Sequence, residues 1–432
     1  MTKLHTDNAP DISVVKPHFL FGAVAFLAAV ALMIAGRHHM FGPYYDNKIL
    51  AVVHVNLLGW AMMLIYGSLY QLVPVVFESR LFSEPLAKIT FWVTGISVAL
   101  MGYAFWSGRL EDFLPVAASL MYAGLFMFVF NIAMSYRQAR LKNIKSFFII
   151  AAIFWLFMTQ TEGLLMAFNF KYGYYEAGNL FHLKIHALMG LAGFFLMMIF
   201  GVGTTLVPMF LVSHKHSERP LWPSFLLLNG GVALLVLSWL FFPGQIWNIS
   251  GWLMIAAGVL FYLKFVYDAY RNRFKRILDE GMQPTMLMFV FLLIPVVLSG
   301  MLLWQKNPYG TMGMLLSLLL GFSTIFGVIN LIILGQTYKT IPFIIWLERY
   351  KPYVGKYQIP LPREVYLAKL ALVQYRLYIL FLVLYALGVI SRNFVILDIA
   401  LIILAAVAVM YNFNMLKMFF HKPVLKPLPE KK

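Results

Sequence analysis

Long, continuous apolar runs recur along the whole of this chain and restrict its fold more than any other feature. A bilayer crossing takes about 20 consecutive apolar residues. Runs on that scale lie at 18–36, 50–77, 86–107, 113–135, 146–169, 181–212, 222–242, 248–268, 282–304, 312–337, 368–390 and 394–419. Hydrocarbon offers backbone groups no water to bond, so a spanning segment must be a helix or part of a closed barrel. The runs are continuous rather than alternating, which selects helices. Only 12% of residues are charged and 62% are hydrophobic, whereas soluble domains carry roughly 25% charged residues. The sequence therefore predicts an all-α polytopic membrane protein of about twelve helices. Residues 18–420 form one membrane domain between tails 1–17 and 421–432. The first run lacks a small-residue cleavage site and is read as a retained helix.

The formal charge of +17 would suit nucleic acid if it were clustered on one domain, but its distribution follows topology. With the N-terminus inside, 27 of the 34 Lys and Arg residues fall on the cytoplasmic side. The densest groups are Arg137, Arg140, Lys142 and Lys145, then Lys264, Arg271, Arg273, Lys275 and Arg276. Seven fall outside: Arg37, Lys48, Arg109, Lys171, Lys184, Lys306 and Arg392. That asymmetry predicts both termini in the cytoplasm and a bacterial-type inner membrane, with anionic lipid rather than nucleic acid as the partner. Cysteine is absent, so disulfides, thiolate metal sites and attached c-type heme are excluded.

A repeat organises the spans. Gly59, Gly193 and Gly327 stand 134 residues apart, as do Gly67, Gly201 and Gly335, and as do Pro74, Pro208 and Pro342. These columns lie in the second, sixth and tenth spans, so the repeating unit is four helices, at about 18–135, 146–268 and 282–419. Glycines eight residues apart share nearly one helix face and permit close backbone approach. The prolines are expected to stop or kink each helix at the cytoplasmic interface. Three such helices are expected to face one centre, in three pseudo-symmetric units. Segment 338–367, with four prolines, reads as an interfacial elbow.

Polar side chains inside spans are costly and become functional candidates. His54 opens the second span, and His182 and His186, one turn apart on one face, open the sixth. Both sets fall near the outer side. Glu162 lies within the fifth span, either as a proton relay or gate or as a helix–helix hydrogen bond through its protonated form. Asn56, Asn131, Asn229 and Asn330 read as interhelical hydrogen-bond residues, His18 as an interfacial anchor, and the 25 Met residues as core filling.

His54-Val55-Asn56-Leu57-Leu58-Gly59-Trp60 with Gly67, Leu72 and Pro74 resembles the second helix of the heme-copper oxidase subunit I superfamily. His186 with Gly193-Phe194, Gly201-Val202-Gly203 and Leu206-Val207-Pro208-Met209-Phe210 resembles divergent members, including NnrS-type proteins. The resemblance implies twelve spans in three four-helix units and a role for His54 as a heme ligand. His182 or His186 loosely matches the sixth-helix metal ligand. The paired His of the family's seventh helix is missing from Leu221–Phe242, and the two of its tenth helix from Met312–Thr337. The family's own bis-His heme, its high-spin heme ligand and its three-His copper site are therefore ruled out, which argues against oxygen reduction to water. What remains is one metal centre. Either His54 and His186 clamp a heme b, the favoured reading, or His54, His182 and His186 bind copper. The function implied is respiratory electron transfer or nitric oxide handling, with a membrane or periplasmic redox partner. Two other classes stay open: a transporter gated through Glu162, and a structural or assembly subunit that keeps the fold without a cofactor.

Overall fold

The computed structural model describes residues 10–139 and 142–427, so His5, Asp7, Arg140 and residues 428–432 lie outside it. Among the described residues twelve helices are long and apolar enough to cross a membrane. They are α1 (Ile12–Ala35), α2 (Asn47–Val76), α3 (Glu84–Ser107), α4 (Leu110–Arg137), α5 (Ile144–Tyr172) and α6 (Gly178–Leu211). The second six are α7 (Leu221–Phe241), α8 (Gln245–Arg271), α9 (Met282–Leu303), α10 (Thr311–Tyr353), α11 (Ala368–Ser391) and α12 (Phe394–Phe419). Side-chain caps fix several starts. Ser83 accepts from the Leu86 amide at 3.2 Å, and Asn143 and Ser146 form a reciprocal capping box. Gly108 and Gly173 end α3 and α5 with φ of 74° and 63°, a left-handed turn that glycine adopts without strain. Large apolar side chains such as Trp92, Leu226 and Ile402 project outward, as a lipid-facing surface requires.

Burial ranks the helices. In their most apolar stretches α2, α6 and α10 bury 67%, 61% and 61% of residues, and no other span exceeds 50%. These three are the central helices. Each contains eight residues wound as a π-helix: Val55–Met62, Met189–Leu196 and Ser323–Asn330, spaced 134 residues apart at both ends. Together they line a partly open pocket of about 110 Å³. The lining includes Ile65, Ile199 and Ile333, then Ser68, Val202 and Gln336, each trio again at the 134-residue interval. Asn56 and Asn330 exchange reciprocal amide bonds at 3.0 and 3.1 Å, locking α2 to α10 in the core.

The glycine columns mediate close approach, but not toward the centre. A side chain at Gly59 would strike Ala25 and Val98, one at Gly193 would strike Trp155, and one at Gly327 would press on Phe291. Gly67, Gly201 and Gly335 likewise meet α1, α5, and the start of α9 with the turn before it. Each central helix thus turns its small face to the helix that precedes it, and other residues face the cavity. Gly59 and Gly67 both meet α1, Gly193 and Gly201 both meet α5, and Gly327 and Gly335 both meet α9, so each pair shares one face as its spacing predicts.

Three boundaries also differ. α1 begins at Ile12, capped by Asp11 on the Ser13 amide at 2.8 Å, so the latter part of the expected tail is helical. α10 does not stop at Pro342 but runs on as α-helix to Tyr350, taking in much of the expected elbow. Proline there removes one donor, toward the Tyr338 carbonyl, and Pro342 is buried within the continuing helix. Residues of the expected C-terminal tail are tied down. β1 (Tyr357–Gln358) pairs antiparallel with β2 (Lys426–Pro427), and Tyr350 Oη meets His421 Nε2 at 2.6 Å.

At the end of the bundle that carries the termini, ion pairs join the connections. Asp279 binds Lys275 and Lys339, both at 2.6 Å, and Glu280 binds the Arg363 guanidinium. Burial alone would raise the Asp279 carboxyl, yet hydrogen bonds from Lys275 and Lys339 hold it down to about 2.

Candidate functional site

His54 is the last α-helical residue before the π segment of α2, and His186 stands three residues before that of α6. The two lie toward the end of the bundle away from the termini. They face each other across the α2–α6 interface with ring centroids 6.4 Å apart and planes inclined by 22°. Both are half-buried. His54 Nδ1 lies 2.8 Å from the Leu50 carbonyl, and His186 Nδ1 lies 3.0 Å from the Thr159 carbonyl of α5. A carbonyl can only accept, so each Nδ1 carries the proton and each Nε2 keeps its lone pair. No described residue hydrogen-bonds either Nε2. Phe105 of α3 stacks on His54 with ring centroids 4.6 Å apart. Gly163 of α5 leaves room for His186, because a Cβ there would lie 2.9 Å from its Cε1.

With each Nδ1 tied to a carbonyl, the two Nε2 atoms are the donors that would hold a metal or heme here. Metal-bound His usually donates its other ring N–H to a carbonyl or carboxylate, which fixes the ring and frees Nε2. Heme iron takes imidazole in this way.

His182 does not join the pair. Its Nδ1 lies 2.6 Å from Glu162 Oε1, with the side chains only 13% and 16% exposed. Tyr175, from the α5–α6 loop, stacks on the His182 ring at 3.6 Å and 6°. Among the described residues no three His, Cys, Asp or Glu side chains come together as a metal-holding group. The expected trio of His54, His182 and His186 therefore divides into a facing pair and an acid–imidazole pair one turn away. Glu162, read from the sequence alone as a lone buried acid, has a partner. The loop over it is itself braced, since Asn169 accepts from the Tyr175 amide at 2.7 Å and donates to Asn179 at 2.9 Å.

His18 lies deeper than an interfacial anchor. It is fully buried, with Nδ1 2.8 Å from the Val14 carbonyl and Nε2 without a partner. Tyr66, Tyr70 and Phe91 surround the ring edge-on, and the hydroxyls of Tyr66 and Tyr70 are also unpaired. The late start assigned to α1 put this residue near water. The asparagines act between segments: Asn229 accepts from Trp155 Nε1 at 2.9 Å, and Asn131 grips both backbone groups of Ser83. Phe105 and Tyr175 carried no signal in the sequence, because aromatic residues are common in such spans. The pairing of Glu162 with His182 was open to charge arithmetic across a short α5–α6 connection.

No family model matches the chain. Over 101 residues it is 32% identical to a subunit of the nitric oxide reductase of Stutzerimonas stutzeri. The match covers 22% of this chain and 21% of that protein, so the chain spans about a fifth of the relative's length.

Proposed function

We propose that this chain is a heme-copper oxidase-like membrane protein in which His54 and His186 hold one heme b. Its role would be respiratory electron transfer or nitric oxide handling rather than reduction of oxygen to water. The facing imidazoles carry the reading: both Nδ1 groups are committed to carbonyls, both Nε2 groups are free, and the ring centres stand 6.4 Å apart. The partial match to a nitric oxide reductase supports the same class. Heme, when bound, supplies a one-electron couple. The protein's own part is positional. Leu50 and Thr159 carbonyls fix the two rings, Phe105 walls off one side, and Gly163 gives His186 its space. Glu162 and His182 lie 2.6 Å apart, a helical turn from His186. That makes them the candidate proton carrier toward the outer face.

The wider proposal has three four-helix units around α2, α6 and α10, with both termini in the cytoplasm of a bacterial-type inner membrane. Among the described residues no three His, Cys, Asp or Glu side chains gather, so the facing pair of His54 and His186 supports heme rather than a three-histidine copper. The test is the visible spectrum of detergent-purified protein expressed with ample heme. A Soret band that is lost or shifted in His54→Ala, and nearly as strongly in His186→Ala, supports the proposal. His182→Ala should have the smaller effect. A colourless protein, or a band unaffected by both main variants, rejects it.

A further inference from the structure

The cavity between α2, α6 and α10 lies well away from the histidine pair. Its first lining residue on α2, Leu64, comes ten residues after His54, beyond the whole π segment. At about 110 Å³ it is the size of a small organic molecule, since an engineered apolar cavity of roughly 150 Å³ takes benzene and stays free of water. The chemistry of its wall changes with depth. Ile65, Ile199 and Ile333 make a wholly apolar layer toward the bilayer centre. One turn nearer the termini, Ser68 and Gln336 enter the wall, and a further turn on, Thr340. Gln336 donates through Nε2 to Thr285 at 2.8 Å, while its Oε1 is buried and without a partner. The hydroxyls of Ser68 and Thr340 bond no described residue.

A void of this form is costly if empty. The isoleucine layer loses its packing contacts, and a buried amide oxygen loses its hydrogen bond. Water entering this partly open pocket would satisfy Gln336 but finds no hydrogen-bond partner in the apolar layer. One occupant satisfies both halves: a small neutral amphiphile with an alkyl body and a single hydroxyl.

We propose that this axial cavity is a binding site for a short-chain alcohol-like amphiphile, its alkyl end among Ile65, Ile199 and Ile333 and its hydroxyl donating to Gln336 Oε1. The site is separate from the histidine pair and does not depend on heme. Its test uses two probes on crystals of the full chain. Xenon under pressure should give one anomalous peak within the isoleucine layer, and n-butanol should displace it. Gln336→Met keeps the volume but removes the acceptor. It should leave xenon binding intact and raise the butanol needed for half-displacement about tenfold, the worth of one hydrogen bond. Val202→Phe, which fills the cavity, should abolish both signals. Should Gln336→Met fail to fold, Ser68→Ala with Thr340→Val tests the polar layer in the same assay. Absence of a xenon peak, or binding that survives Val202→Phe, overturns the site. A butanol response indifferent to the polar-layer variants overturns the amphiphile.

Discussion

Replacing Gly163 by Ala separates the histidine geometry from the stability of the fold. The added Cβ would lie 2.9 Å from His186 Cε1 and 3.3 Å from Nδ1. Carbon atoms pack comfortably from about 3.5 Å, so the ring must retreat by about 0.6 Å. The Nδ1 bond to the Thr159 carbonyl, now 3.0 Å, would stretch toward the limit at which it ceases to be a hydrogen bond. Metal–ligand distances tolerate only about 0.2 Å, and losing a ligand's supporting partner weakens metal binding about 10–100-fold. Stability moves differently. Alanine in a helix interior gains about 0.8–1 kcal/mol over glycine, and the lost hydrogen bond costs about 1 kcal/mol, so the fold should be nearly unchanged. The assay measures heme per protein from the Soret band and thermal unfolding on the same sample. Gly163→Ala should lose heme or shift its band while melting within a few degrees of the parent. An unaltered spectrum at full occupancy would refute the reasoning, because it would show that His186 is not held where the ligand must be.

Glu162→Gln should preserve the fold, since an amide can still bond His182, but lower any activity that needs proton transfer at this pair; unchanged activity would leave the Glu162–His182 pair a purely structural role. Tyr66→Phe should raise stability by about 1 kcal/mol, because the lost hydroxyl is buried without a partner; a lower melting temperature would reveal an ordered water bonded to it. Asp279 is held at about 2 against an ordinary value of 3.8. Its two lysine bonds thus contribute about 2 kcal/mol that is fully present above pH 3.8 and lost as pH falls through about 2. Acid melting curves of Asp279→Asn should show that loss already at neutral pH, and a curve parallel to the parent's would contradict it.

The sequence by itself determined the number and nature of the spans. Hydrocarbon forbids unpaired backbone, and that rule acts on composition and run length, which any single segment displays. It also singled out α2, α6 and α10, because glycine spacing at 134 residues is a property of the letters alone, and it brought His54 and His186 to similar depth. Burial then placed those three helices at the centre. Directions around each helix were another matter. Which helix the glycines meet is decided by packing, and the small faces lie against α1, α5 and the approach to α9. Side-chain partners also waited on tertiary structure. His182 and His186 are alike in sequence, one turn apart, yet one meets Glu162 and the other meets His54. A difference of one helical turn decides whether an imidazole lies against a carboxylate or across from another imidazole. That depends on how α5 packs beside α6, with Gly163 rather than a larger residue at their contact.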